Sequence, residues 1–491
     1  MDKSISRNII FKFLLNIFNL VIPIVIGPYA LRKLGPEIMG TVNFSQTIFE
    51  YFFIFAGFGV YQYGLREVSR VRNDKEKLSS VFTSLFVFTT ITNILTTVVY
   101  LVFINNKYYG TETYIACLIL TFNLLSNVFY IEWMNEALEN FGFITIKTIV
   151  VKIIYVILLF ATVKSSDNFK EYMMLLVLYT FLNNIISFIF IKRKIKFNFS
   201  KVKLSKHIKP MFLVVILSNV NILYTQLDRL MLGEFVSIVS VGYYTIAQNI
   251  SNMINALLLT VITVTIPRLS HYVANENEEE YMSLLNKISK MYFLLVFPAA
   301  IGMFLLSREI ILLYGGPEYI SSIPIMMVFS LYIITVGYDT ILSNQVMYIR
   351  RKEKQQVQII FIGGLINLIL NVLLLVFGIF NATTAVITTL IANICIIVLE
   401  NLYIRKVLKI KFNIFSIDKM KYLFISLIFI PITLIIRRFT NNLCTSAEVT
   451  ALVISFITVV VNGLVYLIIL LIIKDENLIE IKNKLLNKIK K

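Results

Sequence analysis

Charged side chains of both signs interrupt long apolar runs in this sequence of 491 residues: Lys12, Glu50, Lys152, Asp228, Arg229 and Asp339. A cation in such a place can attract an anionic group, and a carboxylate can hold a cation in position or bind an ion. Because a charge inside a membrane-length helix is costly, each of these side chains needs a partner or a ligand.

The length of the apolar run on either side of a charge indicates its depth in a bilayer. Only about 11 apolar residues follow Lys152 before Lys164, which is about 16 Å of a hydrocarbon core about 30 Å thick. We therefore expect Lys152 near the midplane, facing protein or water, with a structural ion pair as the alternative. Lys12 precedes a run that is long enough to span by itself, so it can extend to the cytoplasmic interface.

Asp228 and Arg229 are adjacent, and neighbouring side chains on a helix point about 100° apart. We therefore expect each to have its own partner in the outer half of the membrane. Glu50 also lies in the outer half and could pair with Arg229 or Lys152. Asp339 lies in the inner half of its run, which makes it a candidate for ion coupling.

Asparagines recur at helical spacing within the apolar runs, in three sets: Asn16 and Asn19; Asn249, Asn252 and Asn255; Asn367 and Asn371. Such spacing places each set on one face of a helix. Polar faces in membrane helices either join helices or line a hydrated cavity. Spread over several helices, they indicate a hydrated interior suited to sugar hydroxyls.

Motifs of enzymes and metal proteins are not found in the sequence. There is no phosphate-binding loop and no nucleophile elbow, and the two histidines and three cysteines show no metal-ligand spacing. We therefore expect no catalytic residue, cofactor or metal. Helical membrane glycosyltransferases and polymerases usually have longer loops that carry their catalytic residues.

The composition is that of an integral membrane protein, with 58% hydrophobic and 15% charged residues. Apolar runs of about 20 residues recur along the whole chain. We predict about fourteen spans, placed roughly at 9–30, 42–63, 79–104, 112–131, 143–163, 171–191, 211–232, 241–266, 289–306, 319–348, 357–377, 382–402, 422–436 and 449–473.

The formal net charge of +18 has a topological explanation. With the N-terminus inside, the inner loops carry about four times as many Lys and Arg residues as the outer loops. This pattern predicts an even number of spans with both termini in the cytoplasm, and it argues against nucleic acid as a partner.

A short repeat suggests that the chain has two related halves. LGPEIMGTVNFSQTI (34–48) and LGEFVSIVSVGYYTIAQNI (232–250) share Leu-Gly, a second glycine, Gln and Ile: Gly40, Gln46 and Ile48 correspond to Gly242, Gln248 and Ile250. Internal repeats are common in transporters. The copies have the same predicted orientation, which favours two six-helix bundles related by an axis along the membrane normal.

The predicted organisation follows from this repeat. It consists of an N-terminal six-helix bundle (1–195), a basic cytoplasmic linker (196–210), a C-terminal six-helix bundle (211–405), two additional helices (406–473) and a basic tail (474–491). The tail has apolar residues at helical spacing between lysines, which predicts a helix on the inner leaflet.

Three segments resemble a known family. PIVIGPYALRKLGPEIMGTVNFSQTIFEYF (23–52) with GFGVYQYGLREVSR (57–70), EWMNEALENFGFITIK (132–147) and LDRLMLGEFVSIVSVGYYTIAQNI (227–250) are similar to the polysaccharide-repeat flippases of the multidrug/oligosaccharidyl-lipid/polysaccharide exporter superfamily. The resemblance covers predicted spans one to twelve and weakens over the last two.

The resemblance implies a flippase of the bacterial cytoplasmic membrane. Its substrate would be an undecaprenyl-diphosphate-linked oligosaccharide for capsule, O-antigen or exopolysaccharide, moved by alternating access through a cavity between two bundles. Membrane lipids, a polysaccharide polymerase and assembly proteins would be its partners.

The charges then acquire expected roles. Lys152 and Arg229 would attract the diphosphate, with Lys12 nearer the entrance. Glu50 and Asp228 would hold the cations in place or reset the empty cavity. The asparagines Asn16, Asn19, Asn249 and Asn252 would bind sugar. The alternatives are a flippase for the peptidoglycan precursor or for teichoic acid, a multidrug cation antiporter of the same superfamily, and an envelope-assembly scaffold in which the charges are structural.

Overall fold

The computed structural model describes residues 3–212, 215, 226–440 and 446–489. The described chain is helical, with short 3₁₀ and π segments, and it separates into two compact units, 1–242 and 243–491. The finer five-part organisation predicted from the sequence stays a prediction. Most of the predicted seventh span lies outside the described residues.

The helices of the first unit are α1 (Lys3–Gly57), α2 (Val60–Val71), α3 (Lys75–Tyr108), α4 (Glu112–Ser126), α5 (Glu132–Ala137), α6 (Phe141–Thr162), α7 (Phe169–Lys192) and α8 (Leu227–Phe235). Helix α9 (Ile238–Thr263) crosses the boundary between the units. Those of the second unit are α10 (Ile266–Ala274), α11 (Glu278–Leu305), α12 (Ser307–Tyr314), α13 (Ile323–Thr340), a π-helix (Ile341–Tyr348), α14 (Glu353–Val376), α15 (Ala382–Lys406), α16 (Ile417–Ser426), α17 (Phe429–Thr440), α18 (Ala447–Ile472) and α19 (Glu476–Ile489).

The described residues contain 12 helical stretches that are long and apolar enough to cross a membrane. This finding confirms an all-α multi-pass membrane protein, whereas the count of fourteen spans stays a prediction. One stretch, Phe11–Val71, contains both of the first two predicted spans. Within it, Gly35 has φ 74° and ψ 171°, so the helical path breaks between those two spans.

The two glycines of the sequence repeat pack against each other's helix. A Cβ atom on Gly40 would lie 2.1 Å from the Ile238 carbonyl oxygen, and one on Gly242 would lie 2.1 Å from the Pro36 carbonyl oxygen. Each glycine thus contacts the carbonyl four residues before the other. This reciprocal contact of α1 with the start of α9 requires glycine at both positions, since the neighbouring atoms belong to the backbone.

We expect G40A and G242A each to destabilise the protein by about 1–3 kcal/mol, the usual cost of overpacking. G302A and G463A are matched controls, because a Cβ atom on either helical glycine would meet nothing within 4 Å. Thermal unfolding of the detergent-purified proteins measures the difference. Equal midpoints for all four variants would contradict the close packing.

A buried histidine anchors the basic segment after α7 to α2. Residues 204–212 are helical, and His207, only 3% exposed, forms a 2.8 Å hydrogen bond between its Nδ1 atom and the Tyr63 hydroxyl. Burial and the charge of Lys206 lower the pKa of His207 below its ordinary value of 6.5, and Glu67 opposes them. A neutral imidazole is therefore part of this contact.

The lowered pKa makes the contact sensitive to pH. The stabilisation from His207 is complete above pH 6.5. It is lost as the pH falls through the lower pKa of the folded state, since the unfolded chain is protonated first. Between about pH 8 and about pH 5.5, we expect the thermal midpoint of the wild type to fall further than that of H207Q. H271Q, which changes an exposed histidine, should behave as the wild type. Equal falls in H207Q and wild type would refute the role of His207.

Two charge contacts attach the last helices to the rest of the second unit. Arg437 of α17 pairs with Glu309 of α12, with Nη2–Oε2 at 2.7 Å and Nε–Oε1 at 3.1 Å. Asp475, just before α19, pairs with Lys421 at 2.6 Å and accepts the Tyr422 hydroxyl at 2.9 Å.

Asp475 also begins the tail helix, because its carboxylate accepts the backbone amides of Asn477 and Leu478. Burial raises the pKa of Asp475, but Lys421 and the Leu478 amide more than offset this and hold it below the ordinary value. The predicted helical tail is present as α19.

Candidate functional site

A polar stripe on α1 faces α6 in the first unit. Lys12, Asn16 and Asn19 recur at intervals of four and three residues on α1, and all three are exposed in the structure. Lys152 of α6 donates to the Asn19 Oδ1 atom at 3.0 Å, and its Nζ atom lies 6.0 Å from the centre of the Phe18 ring. The structure thus brings Lys152 of α6 to the polar face of α1 that the sequence spacing predicted.

Lys12 lies at the other end of this stripe. Its Nζ atom is 5.6 Å from the centre of the Phe141 ring at the start of α6. Among the residues that the structure describes, no ion pair joins Lys12 or Lys152 to an acidic side chain. Both cations are therefore available to an anion.

A second group of charges lies where α8 meets the end of α1. Asp228 is in the first turn of α8 and only 2% exposed, and Arg229 is half-buried. The positive charge of Arg229 acts on Glu50, and the charges of Asp228 and Glu50 both act on the hydroxyl of Tyr51. Of the two partners proposed for Glu50 from the sequence, the structure places Arg229 within electrostatic reach.

Sequence reasoning missed a buried cation on α6. Lys147 is 7% exposed and donates to both Glu132 carboxylate oxygens, at 3.0 and 3.1 Å, and to the Ser187 hydroxyl at 2.8 Å. The Ser187 hydroxyl donates in turn to Glu132 at 2.6 Å. The sequence signal for this pair was Glu132, the first residue of EWMNEALEN, which lies 15 residues before Lys147. This closed network has no donor directed at a ligand.

An aromatic and amide-lined cavity of about 410 Å³ was also missed. It lies within the first unit, and its polar lining consists of amides and hydroxyls rather than charges. The Asn123 Oδ1 atom is buried and has no hydrogen-bond partner among the described residues. Its lining includes Phe49, Phe53, Tyr61, Gln62, Asn123, Asn127, Tyr130, Thr180 and Asn184. Rings and amides of this kind suit the faces and hydroxyls of a sugar.

In the second unit, Asn249 and Asn252 are exposed one turn apart on α9. Asn367 and Asn371, in contrast, are fully buried between α14 and α15. Their side chains contact Thr388 and Thr389, with the Asn367 Nδ2 atom 3.0 Å from the Thr389 hydroxyl. They join two helices, which is one of the two roles that the sequence left open.

Asp339, the candidate for ion coupling, lies at the end of α13, next to the π-helix. The charge of Asp339 acts on Glu400 of α15, which is 0% exposed. The Asp339 Oδ1 atom and both Glu400 carboxylate oxygens are buried without a hydrogen-bond partner among the described residues. Glu400 was missed, although it is an acid within the predicted span 382–402. Within the described ranges, no three His, Cys, Asp or Glu side chains come together as a metal site would require.

The amino-acid sequence of the chain matches two models of known protein families. Residues 5–273 match the model described as polysaccharide biosynthesis protein, and residues 175–454 match the model described as lipid II flippase MurJ. A protein named as a candidate O-antigen transporter from Escherichia coli (strain K12) is 23% identical over 380 residues, which is 75% of this chain and 89% of that protein.

Solved structures show the same fold. An inward closed conformation of the lipid II flippase MurJ has a TM-score of 0.67 at 18% identity and covers 94% of this chain and 97% of its own. An inward-facing multidrug resistance transporter of the MATE family has a TM-score of 0.62 at 15% identity and covers 81% of this chain and 96% of its own.

The helical fold and the matched models define a membrane transporter of the flippase class, not an enzyme. The chain belongs to the polysaccharide biosynthesis and flippase family. The resemblance found in three segments of the sequence is thereby confirmed.

The two lysines of α6 should differ sharply on substitution. K147M leaves Glu132 without its cation and should cost about 3–5 kcal/mol, as breaking a buried pair does. K152M removes one hydrogen bond from a more exposed side chain and should cost at most about 1 kcal/mol. Thermal unfolding of the purified variants measures both. A second change, E132Q, should recover part of the K147M loss, and similar losses for K147M and K152M would contradict this division.

Proposed function

We propose that this protein flips an undecaprenyl-diphosphate-linked oligosaccharide repeat unit across the cytoplasmic membrane for a surface polysaccharide. The observation that carries the proposal is the contact of Lys152 on α6 with the exposed amide of Asn19 on α1, on the same face as Lys12 and Asn16. Family membership supports it, as does the candidate O-antigen transporter among the relatives. A lipid-linked diphosphate needs positive charge along its path, and its sugars need hydrogen-bonding groups.

Lys152 and Arg229 attract the diphosphate in this proposal, and Lys12 does so nearer the cytoplasmic entrance. Polar side chains that are exposed in a membrane protein are costly against lipid, so they should face a hydrated path. The amides of Asn16, Asn19, Asn249 and Asn252 then hydrogen-bond the sugars. The amide-lined cavity of the first unit offers further groups of the same chemistry.

Glu50 and Asp228 hold the guanidinium of Arg229 in place and balance its charge in the absence of substrate. Asp228 is too buried to meet a substrate directly. This arrangement suits a cation that must bind a diphosphate and release it again, because the acidic neighbours compete with the phosphate oxygens.

The second candidate is a flippase for a peptidoglycan precursor. The match of residues 175–454 to the lipid II flippase model favours it. Both candidates involve a lipid-linked diphosphate, so the cations would have the same role. They differ in the sugar and peptide that the lipid carries.

Depletion of the protein in cells tests the function. We expect complete lipid-linked oligosaccharide units to accumulate facing the cytoplasm, where mass spectrometry of extracted lipids identifies the sugar and a membrane-impermeant probe reports the leaflet. Accumulation of a peptide-bearing precursor instead would favour the second candidate. Normal lipid-linked intermediates with normal surface polymer would refute both.

Variants of the two cations test the proposed site. K152A and R229A should each lower export about tenfold or more at a normal protein level, since a charge-assisted hydrogen bond contributes about 1.5–3 kcal/mol. K164A, at the exposed end of the same run as Lys152, is the matched control and should export normally. Export is measured as surface polymer per unit of membrane protein. Unchanged export in both K152A and R229A would refute the diphosphate role.

A further inference from the structure

The amide-lined cavity of the first unit is polar without being charged. Its volume of about 410 Å³ lies within the range of about 300–1,000 Å³ that is usual for small-molecule sites. Its lining comes from the end of α1, the start of α2, α4 with the 3₁₀ turn Asn127–Phe129 that follows it, and α7. Among the described residues, no Asp, Glu, Lys, Arg or His side chain contributes to this lining.

One amide of the lining is fixed by a buried chain of hydrogen bonds. Asn127 is 4% exposed and donates through its Nδ2 atom to the Asn93 Oδ1 atom at 2.9 Å. Asn93 is fully buried and donates in turn to the carbonyls of Ala56 at 3.1 Å and Thr89 at 2.7 Å. Asn127 is therefore held at the cavity wall before any ligand binds.

Other polar groups of the lining have hydrogen-bonding capacity left for a ligand. Asn123 is only 9% exposed, and its Oδ1 atom has no hydrogen-bond partner among the described residues. Asn184 donates to the Ser126 carbonyl at 3.3 Å, which is long for a hydrogen bond. The Tyr61 hydroxyl donates to Glu136, so its oxygen can still accept. Because a buried acceptor without a donor is costly, a ligand hydroxyl at Asn123 would be stabilising.

Aromatic rings and a left-handed turn complete the cavity. Phe49 and Phe53 both line it, one turn apart on α1, with ring centres 5.4 Å apart. The turn between α1 and α2 has φ of 42° at Phe58 and 69° at Gly59. A positive φ is uncommon for a residue other than glycine, and such strain is concentrated at functional sites. Rings beside amides match the C–H faces and hydroxyl groups of a pyranose.

The electrostatic surroundings favour an uncharged ligand. Both Glu136 carboxylate oxygens lie 3.0 Å from the hydroxyl of Tyr61, so a negative charge stands directly behind the lining. A carboxylate bound in the cavity would lose its hydration without gaining a cation, and Glu136 would repel it. A hydroxyl or acetamido group needs only the amides and hydroxyls that are present.

We propose that this cavity binds one uncharged pyranose sugar and excludes acidic sugars. Asn123 and Asn184 hydrogen-bond the hydroxyls of the sugar, while Phe49 and Phe53 pack against its C–H face. In transport, the site selects repeat units that carry a neutral sugar. This role in transport rests on the proposed flippase function, whereas the sugar site does not.

Binding of lipid-free sugars to the purified full-length protein tests the site without transport. The neutral probes are glucose, galactose and N-acetylglucosamine, and the acidic probes are glucuronic and galacturonic acid. Trp133, the single tryptophan of the chain, donates to the carbonyl of Tyr130 in the lining at 3.3 Å, so its emission reports on the cavity. We expect calorimetry or Trp133 emission to show saturable binding of at least one neutral sugar, about tenfold or more tighter than of either acid. Absence of saturable binding of all three neutral sugars, or equal binding of the acids, overturns the proposal.

Variants of the lining locate the binding. N123L removes one amide and should weaken neutral-sugar binding about tenfold. T180F places a ring in the cavity and should abolish binding. N183L is the matched control, because the Asn183 side chain bonds to the Tyr179 carbonyl and lies outside the lining. If N123L does not fold, T180F carries the test, since the Thr180 hydroxyl bonds within its own helix. Wild-type affinity in T180F overturns the site.

Flipping measurements connect the site to transport. With lipid-linked oligosaccharide from depleted cells in vesicles, N123L should flip about tenfold more slowly than the wild type, and N183L should flip normally. If N123L loses sugar binding and still flips at the wild-type rate, the role of the site in transport is overturned. Absence of wild-type flipping refutes the proposed function and leaves the binding result standing.

Discussion

The bilayer cannot solvate a charge, and the arrangement of polar groups in this protein follows from that constraint. A charged side chain in a membrane helix must be paired, protonated or in contact with water. Among the described residues, Lys147 with Glu132 and Arg437 with Glu309 are closed pairs, whereas Lys152 has an amide as its polar partner.

These solutions separate the charges that maintain the fold from those available for transport. A closed pair such as Lys147–Glu132 satisfies its own hydrogen bonds and has little left to offer a substrate. Lys152, only five residues along the same helix, is accessible and has no acidic partner among the described residues. Arg229 is intermediate, because its charge acts on Glu50 and its side chain is half-buried. Burial and pairing, rather than the mere presence of a charge in a span, distinguish the two groups.

The sequence predicted the class of fold, because hydropathy reports directly on membrane helices. The family was predicted from the resemblance of three segments to known flippases. Helical spacing also predicted the polar face of α1, where Asn19 meets Lys152. The reciprocal packing of Gly40 and Gly242 occurs at positions that the repeat had aligned. The number of spans could not be settled in this way, because α1 passes through two predicted spans with only a local break at Gly35.

Most of the polar contacts between distant segments could not be predicted. Glu309 lies 128 residues from Arg437, and nothing in the periodicity of either segment identifies its partner. Which asparagines are buried and which are exposed could not be predicted either, since Asn367 and Asn249 occur in similar apolar runs. One joins helices and the other is exposed, and only packing against α15 distinguishes them.

Transfer of the lipid-linked oligosaccharide between leaflets by the purified protein is the most direct measurement of the central claim. Vesicles containing the protein and an undecaprenyl-diphosphate oligosaccharide are exposed to an external enzyme that cleaves only accessible sugar. If the account is correct, the inner-leaflet fraction becomes cleavable in vesicles with protein and stays protected in vesicles without it. An equal protected fraction in both would contradict the assignment of this protein as the flippase.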